Sequence, residues 1–416
     1  MKLAKMSMVA ALLLGANAYA IENVKVSGDA RLYYHTDDSE DAEGNGGFLS
    51  QDSSAAQAAL NLGLTADLTK GVSAGVAMTA LSTLGLEGVL VDGVWEGQAG
   101  PSAVTSDYWV SEAWMATTMG KTTAKVGRQT LDTPLAFTET WSIAQNTFEA
   151  AVLINQDISD TTLVGAFIGS SNSGGGILGA GGAGTSGVVA LPNIANGDSR
   201  FNTFGTNGAY AVGAINNSMK ELTVQAWYYD VRSLATALWL SADLNMEGIL
   251  AGVQYSTIEP AAAGADDGDV FAAMLGYEMK DVATFKVAYS QTDDTVGAGQ
   301  NVAGAQTKLY TEMWWNYGTV VRADTSTILL SAEATVADID LFASYAMSDQ
   351  GNGANNSIPT PFDLNELAIT ASKSYGPVDT SIAIIHTDEE VAGVNAPGVT
   401  TSGAENMLQV YLTYNF

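Results

Sequence analysis

Hydrophobic and polar residues alternate with a period of two over the last stretch of the chain, residues 404–416. One face of that stretch would carry Leu408, Val410, Leu412, Tyr414 and Phe416, whereas the other would carry Gln409, Tyr411, Thr413 and Asn415. Because successive side chains of a β-strand point to opposite faces, the pattern predicts a strand with one apolar and one polar face. Such a strand suits a barrel wall that separates lipid from water.

The same alternation recurs along the whole chain. It is clearest in residues 24–35 and 57–68, where apolar residues occupy every second position. The other candidate strands are 72–80, 108–119, 122–129, 148–158, 161–170, 208–216, 221–231, 235–244, 249–257, 270–279, 283–292, 309–317, 327–336, 338–347, 364–374, 378–387 and the final strand. Only the alternation of apolar and polar residues is repeated; no sequence motif recurs.

This count of 19 candidates is odd, whereas single-chain bacterial barrels have an even number of strands. Residues 122–129 are short and residues 309–317 have an irregular period, so one of these two is the surplus strand. We therefore expect an all-β fold, a transmembrane antiparallel β-barrel of about 18 strands, within the range 16–20. Tight connections such as 120–121 alternate with long ones such as 84–107, which is typical of short periplasmic turns and long extracellular loops.

The first residues predict export. Lys2 and Lys5 precede a short apolar run, Val9–Leu14, and Ala18–Ala20 forms a small-x-small cleavage site. The apolar run is much shorter than the ~20 residues that a spanning helix needs. We expect residues 1–20 to be removed as a signal peptide and residues 21–416 to form a single transmembrane barrel in the bacterial outer membrane, in contact with its lipid.

Composition excludes several classes of protein. The chain has no Cys, so no disulfide stabilises it after export. Only 15% of residues are charged, and the formal net charge is −29. This large excess of acidic over basic residues argues against a nucleic-acid partner or a basic lipid-binding surface.

No motif in the chain supports an enzyme or a resident cofactor. His35 and His386 are the only histidines and lie far apart, and H-E-x-x-H and P-loop patterns are absent. Acidic clusters at 37–43, 266–269 and 388–390 could bind Ca²⁺ through carboxylate oxygens, but they lack EF-hand spacing. We expect no cofactor; solvated loop tips and loop-bound Ca²⁺ both stay open as interpretations of these clusters.

Several segments resemble the OprD-type outer-membrane porins, most closely the major porins of Campylobacter-related bacteria. They are VKVSGDARLYY from Val24, SEAWMATTMGKTTAKVGRQTLDTPLAF from Ser111, NTFEAAVLINQDISDTTLVGAFIG from Asn146, QAWYYDV from Gln225 and the closing strand. The resemblance implies an 18-stranded barrel that is narrowed by inward-folded loops and passes small polar solutes. Family members occur as monomers and as trimers, so a homotrimer stays open. Members that take up anions use a run of inward-facing basic residues, for which this chain has few Lys and Arg.

The phase of each strand indicates which side chains line the water-filled lumen that a barrel of about 16–18 strands encloses. Lys25, Asp29 and Arg31 lie on the polar face of the first strand, and Asp67 lies on that of the second. Lys286 alternates with apolar neighbours and should also point inward. We expect these residues to line the pore.

Two further places are candidates for the constriction. Arg128 lies within the family-like block, where it is either a constriction residue or an arginine of the barrel wall paired with an acid. The Gly-rich loop 171–207 is either folded into the lumen, with Asp198 or Arg200 lining the opening, or an extracellular flap. The sequence leaves both pairs of alternatives open.

The function that these patterns favour is passive diffusion of small polar solutes and ions through a hydrated barrel. The alternative is a barrel that acts mainly as an adhesin or a structural surface protein with acidic extracellular loops. The permeant solute and the sign of the charge selectivity do not follow from the sequence.

Overall fold

The computed structural model describes residues 21–38, 47–82, 84–85, 106–140, 143–172, 201–203, 207–353, 361–391 and 403–416. The expected signal peptide, residues 1–20, lies outside this part of the chain. So does most of the long loop 171–207, including Asp198 and Arg200.

Eighteen long antiparallel strands form one sheet that closes on itself, as the sequence predicted. They are β1 Glu22–Asp37, β2 Ser54–Thr69, β3 Val72–Ser82, β4 Ser106–Met119, β5 Thr122–Gln129, β6 Phe148–Asn155, β7 Thr161–Ser171, β9 Ala209–Met219, β10 Leu222–Val231, β11 Ala235–Met246, β12 Ile249–Pro260, β13 Gly268–Met279, β14 Ala283–Thr292, β15 Thr325–Val336, β16 Ile339–Gln350, β17 Phe362–Tyr375, β18 Val378–Val391 and β19 Gly403–Asn415. The two-residue strand β8, Asn202–Thr203, pairs with the end of β7 only.

The seam between the first and last strands closes the wall. β1 pairs with β19 from Asp29 opposite Asn415 to Asp37 opposite Met407. Two backbone hydrogen bonds between Gly28 and Phe416, of 2.9 and 3.0 Å, extend the seam by one pair. A closed sheet has no free edge, so the backbone amides of the wall are hydrogen-bonded within it, as a hydrocarbon environment requires.

The two faces of the wall differ as the alternation predicted. Outward side chains such as Val26 and Ile384 are 55% and 58% exposed when no lipid is present. Inward positions carry polar or small residues such as Ser290 and Ala272, both fully buried. An apolar exterior with a polar interior is the arrangement of a transmembrane barrel.

The aromatic residues of the wall lie on both of its faces. Tyr228 faces outward and is 46% exposed, whereas the neighbouring Tyr229 faces the lumen and is 2% exposed. Trp314 and Trp315 lie in no strand at all. Aromatic pairs in a strand are divided between its faces, because adjacent side chains alternate.

The surplus candidate strand is 309–317. Residues 122–129 form β5 with those bounds, whereas residues 309–317 lie in the long connection between β14 and β15. That connection contains a short 3-10 helix, Thr319–Val321. Among the described residues, no helix is long and apolar enough to cross a membrane.

A lumen crossed by two inward-folded segments

Two connections fold into the barrel. We call residues 293–324, between β14 and β15, the strap, and residues 130–147, between β5 and β6, the inner loop; positions 141–142 of the inner loop are not described. Both contain apolar residues that are buried, for example Leu135 in the inner loop and Leu309 in the strap. Their polar groups bind inward-facing side chains of the wall, as the following contacts show.

The strap and the inner loop are joined by reciprocal hydrogen bonds. The Val302 amide donates to the Leu135 carbonyl at 2.8 Å. The Asn301 side chain accepts from the Phe137 amide at 3.2 Å and donates to the Phe137 carbonyl at 2.9 Å. The two segments therefore form one unit inside the barrel.

Glu139 of the inner loop strengthens that unit. Its carboxylate, in a residue that is 5% exposed, accepts from the Asn301 side chain at 3.0 Å and from the Gln306 amide at 2.7 Å. A Cβ atom at Gly304 would lie 1.9 Å from the same carboxylate, so any other residue there would displace that carboxylate from its present position. The strap thus packs directly against Glu139.

The strap reaches from one side of the barrel to the other. Near its middle, the Tyr310 hydroxyl donates to the Asp243 carboxylate of β11. Five residues further on, the Trp315 ring stacks on His35 of β1, with centroids 5.1 Å apart and planes 5° apart. In the order of the 18 wall strands, β11 and β1 are nine steps apart in either direction, so they lie opposite each other. The lumen is therefore crossed at this level.

One wall carboxylate holds the far end of the strap. Glu366 of β17 is 1% exposed and accepts four hydrogen bonds. Three come from the backbone amides of Trp314, Trp315 and Asn316, at 2.6, 3.1 and 2.8 Å, and the fourth comes from the Asn316 side chain at 2.9 Å. A buried carboxylate needs such donors to offset the loss of its hydration.

Glu312, within the strap, is partly buried and accepts from the amides of Thr307 and Gly318 at 3.1 and 3.3 Å. Burial raises its pKa well above the ordinary value of 4.5, and the nearby carboxylates of Glu139 and Glu366 raise it further, against the lowering effect of the two amides. The strap therefore contains a carboxyl group that binds its proton more tightly than an ordinary glutamate.

Beside the two segments, a polar cavity of about 270 Å³ follows the wall from β1 to β4; we call it the eyelet. Its charged residues are Asp29, Arg31 and Glu112. The Arg31 guanidinium binds the Asp29 carboxylate at 2.6 Å, and the Asn61 side chain donates to the same carboxylate at 2.9 Å. The eyelet thus contains two carboxylates and one guanidinium.

A larger cavity of about 780 Å³, the vestibule, opens near the short turns. Its lining includes the four carboxylates of Glu278, Asp281, Glu333 and Asp340. Lys286 binds Glu333 at 2.9 Å. Both cavities therefore carry more carboxylate groups than cationic groups.

Most of the pore-lining candidates that the structure describes face the lumen. Asp29 and Arg31 line the eyelet. Lys25 and Asp67 face inward closer to the short turns, where Asp67 accepts from the Asn23 side chain at 2.6 Å. Lys286 also faces the lumen, because it binds Glu333, which lines the vestibule.

Arg128, the first choice for a constriction residue, lies on the outer face of β5. Its partners in the sheet are Ala113 of β4 and Glu149 of β6. These two residues lie on the same outer face as Met115 of β4 and Leu153 of β6. Its guanidinium binds the Glu149 carboxylate at 2.7 Å and stacks 3.7 Å from the Phe201 ring centroid. It is therefore an arginine of the barrel wall, the second of the two interpretations, because the alternation along β5 turns it away from the lumen.

No group of three or more His, Cys, Asp or Glu side chains in the described part of the chain is arranged to hold a metal ion. Positions 39–46, within the first acidic cluster, lie outside that part. Calcium binding by the loops stays a prediction.

A closed, lipid-facing barrel with a narrowed polar lumen has the architecture of a diffusion channel. The sequence model of the family described as Gram-negative porin matches residues 7–313. The chain belongs to the Gram-negative porin family. No curated protein matches the sequence.

Solved structures share the fold of this porin. Pseudomonas aeruginosa OpdK, in a structure with vanillate, is 11% identical with a TM-score of 0.69, over 95% of this chain and 99% of that one. P. aeruginosa OccK8 (OprE) is 13% identical with a TM-score of 0.67, over 96% and 99%. Acinetobacter baumannii OccAB3 is 14% identical with a TM-score of 0.67, over 95% and 100%. The OprD-type resemblance is thus confirmed in the fold.

Membership of this family makes the protein an outer-membrane channel for small solutes and not an enzyme. It favours the porin over the adhesin, for which neither the family nor the fold gives support.

Proposed function

We propose that small polar solutes and ions cross this porin through the eyelet, and that cations pass more readily than anions. The observation that supports the proposal is the position of the strap and the inner loop. They fill the centre of the lumen and leave a polar cavity along β1 to β4. A passage this narrow brings a solute within direct reach of its charged groups.

The charges along this route favour cations. In the eyelet, Arg31 is offset by Asp29, and Glu112 adds a second carboxylate. The vestibule contributes four carboxylates, one of which binds Lys286. Carboxylate rings are a common basis of cation selectivity.

Reversal potentials under a KCl gradient test this proposal. Purified porin in a planar bilayer should give stable ohmic conductance steps and a reversal potential of the sign set by K⁺. A barrel that inserts without conductance would overturn the proposed function, and a reversal potential set by Cl⁻ would overturn the selectivity.

The partners proposed for the barrel are the outer-membrane lipid and, as an assembly, a homotrimer. The apolar outward residues support the contact with lipid. Monomer and homotrimer are both compatible with the closed wall, and the mass of the protein in detergent solution decides between them.

A further inference from the structure

We infer that Glu366 is the positioning residue that sets the width of the passage, because it anchors the end of the strap to the wall. The inference rests on the proposed function. Glu366 touches neither the eyelet nor the vestibule, so it would act on a solute only through the strap.

The chemistry of the anchor is specific to a carboxylate. Four N–H donors converge on the two oxygens of Glu366. Within the described part of the chain, no Lys or Arg forms an ion pair with it. A glutamine would offer one acceptor oxygen and place an NH₂ group against N–H donors, so at least one bond would be lost.

The anchor determines where two tryptophans lie. The Trp314 indole donates to the Gln409 side chain of β19 at 3.2 Å and packs 5.8 Å from the Phe342 ring. Trp315 stacks on His35 and also packs against the buried cluster that contains Ile143 of the inner loop. The peptide that Glu366 of β17 holds is therefore also in contact with β1, β16 and β19, and with the cluster that includes Ile143 of the inner loop.

The same cluster leads to the eyelet. The Arg31 guanidinium, besides binding Asp29, donates to the Ile143 carbonyl at 3.5 Å. Release of residues 314–316 from Glu366 would withdraw Trp315 from the cluster that contains Ile143 and free the space that the strap occupies. The passage would then widen from the strap side.

The test compares Glu366→Gln with Glu333→Gln in planar bilayers. Both substitutions remove one inward carboxylate, but Glu333 binds Lys286 and does not contact the strap. Neutral polyethylene glycols of graded size report the width, and reversal potentials report the charge. Each lost hydrogen bond to a charged group should raise the time that the strap spends released by about tenfold.

We expect Glu366→Gln to raise the single-channel conductance and its noise and to admit larger polymers. Glu333→Gln should move the reversal potential with no change in the polymer limit. Glu366→Asp, which keeps the acceptor, should fall between wild type and Glu366→Gln. Equal polymer limits in wild type and both glutamine variants would overturn the inference.

Asn316→Ala covers the case in which Glu366→Gln does not fold. It removes only the side-chain bond to Glu366 and leaves the wall intact. It should also increase the current noise, and a wild-type noise level in this variant would count against the anchor. If wild-type porin itself does not conduct, the proposed function fails; if it conducts and the variants match it, only this inference fails.

Discussion

The ring of Trp315 lies parallel to that of His35, with a centroid separation of 5.1 Å, and this contact holds the strap against β1. A stacked aromatic pair contributes about 0.5–1.5 kcal/mol beyond its buried area. Trp315→Ala should therefore loosen the end of the strap, and single-channel recordings should show greater current noise. Phe285→Ala, on the outer face of β14, is the control. Equal noise in the two variants would contradict the role of the stack.

The two charges of the eyelet should act in opposite directions. Arg31→Gln leaves the Asp29 carboxylate without its bound cation, so cation selectivity should increase. Asp29→Asn leaves the guanidinium unbalanced, so cation selectivity should decrease. Reversal potentials under a KCl gradient measure both shifts. Lys220→Gln, in a turn outside the lumen, should leave the potential unchanged. Shifts of the same sign for the two eyelet variants would be inconsistent with this assignment.

Gly304 allows the strap to approach Glu139. A Cβ atom there would lie 1.9 Å from the carboxylate, so Gly304→Ala forces the carboxylate to move away from its donors, Asn301 and Gln306. Such overpacking typically costs about 1–3 kcal/mol. Urea unfolding in detergent, followed by tryptophan fluorescence, should show this loss of stability. Gly165→Ala is the matched control, since no atom lies within 4 Å of its Cβ position. A loss that is no larger for Gly304→Ala than for the control would refute the close approach.

Glu312 should make the strap sensitive to pH. Its pKa in the folded protein is raised above the ordinary 4.5, so ionisation is less favourable in the bound strap than in a released one. The stabilisation of the strap is therefore complete below pH 4.5 and is lost as the pH rises through the raised pKa. Current noise should rise with pH over this interval in wild type and stay level in Glu312→Gln. An unchanged pH profile in the variant would exclude Glu312 as the cause.

The wall of the barrel could be predicted from the sequence, because each strand shows its own alternation. β5 was found with its bounds despite its length, since Val126 and its neighbours keep the two-residue period. The inward phase of Asp29 and Arg31 followed from the same rule. The periodicity of a short stretch of sequence is enough to predict a strand, because the geometry of a strand repeats every two residues.

The interior could not be predicted in this way. The strap has no repeating backbone, and its position depends on partners far away in sequence, such as Glu366 for Asn316. Arg128 was misplaced because its family-like surroundings were given more weight than the phase of its strand. Glu366 carries only a weak signal, because it is a single acidic residue among the apolar and small polar residues on the inward side of its strand.

The seam between β1 and β19 has a consequence for assembly. β1 is made first, but one of its edges has no partner until the last residues of β19 have been exported. An unpaired strand edge is a template for association with other chains. Nascent copies in the periplasm must therefore be kept apart until the C-terminal strand arrives, and a copy that lacks it should aggregate.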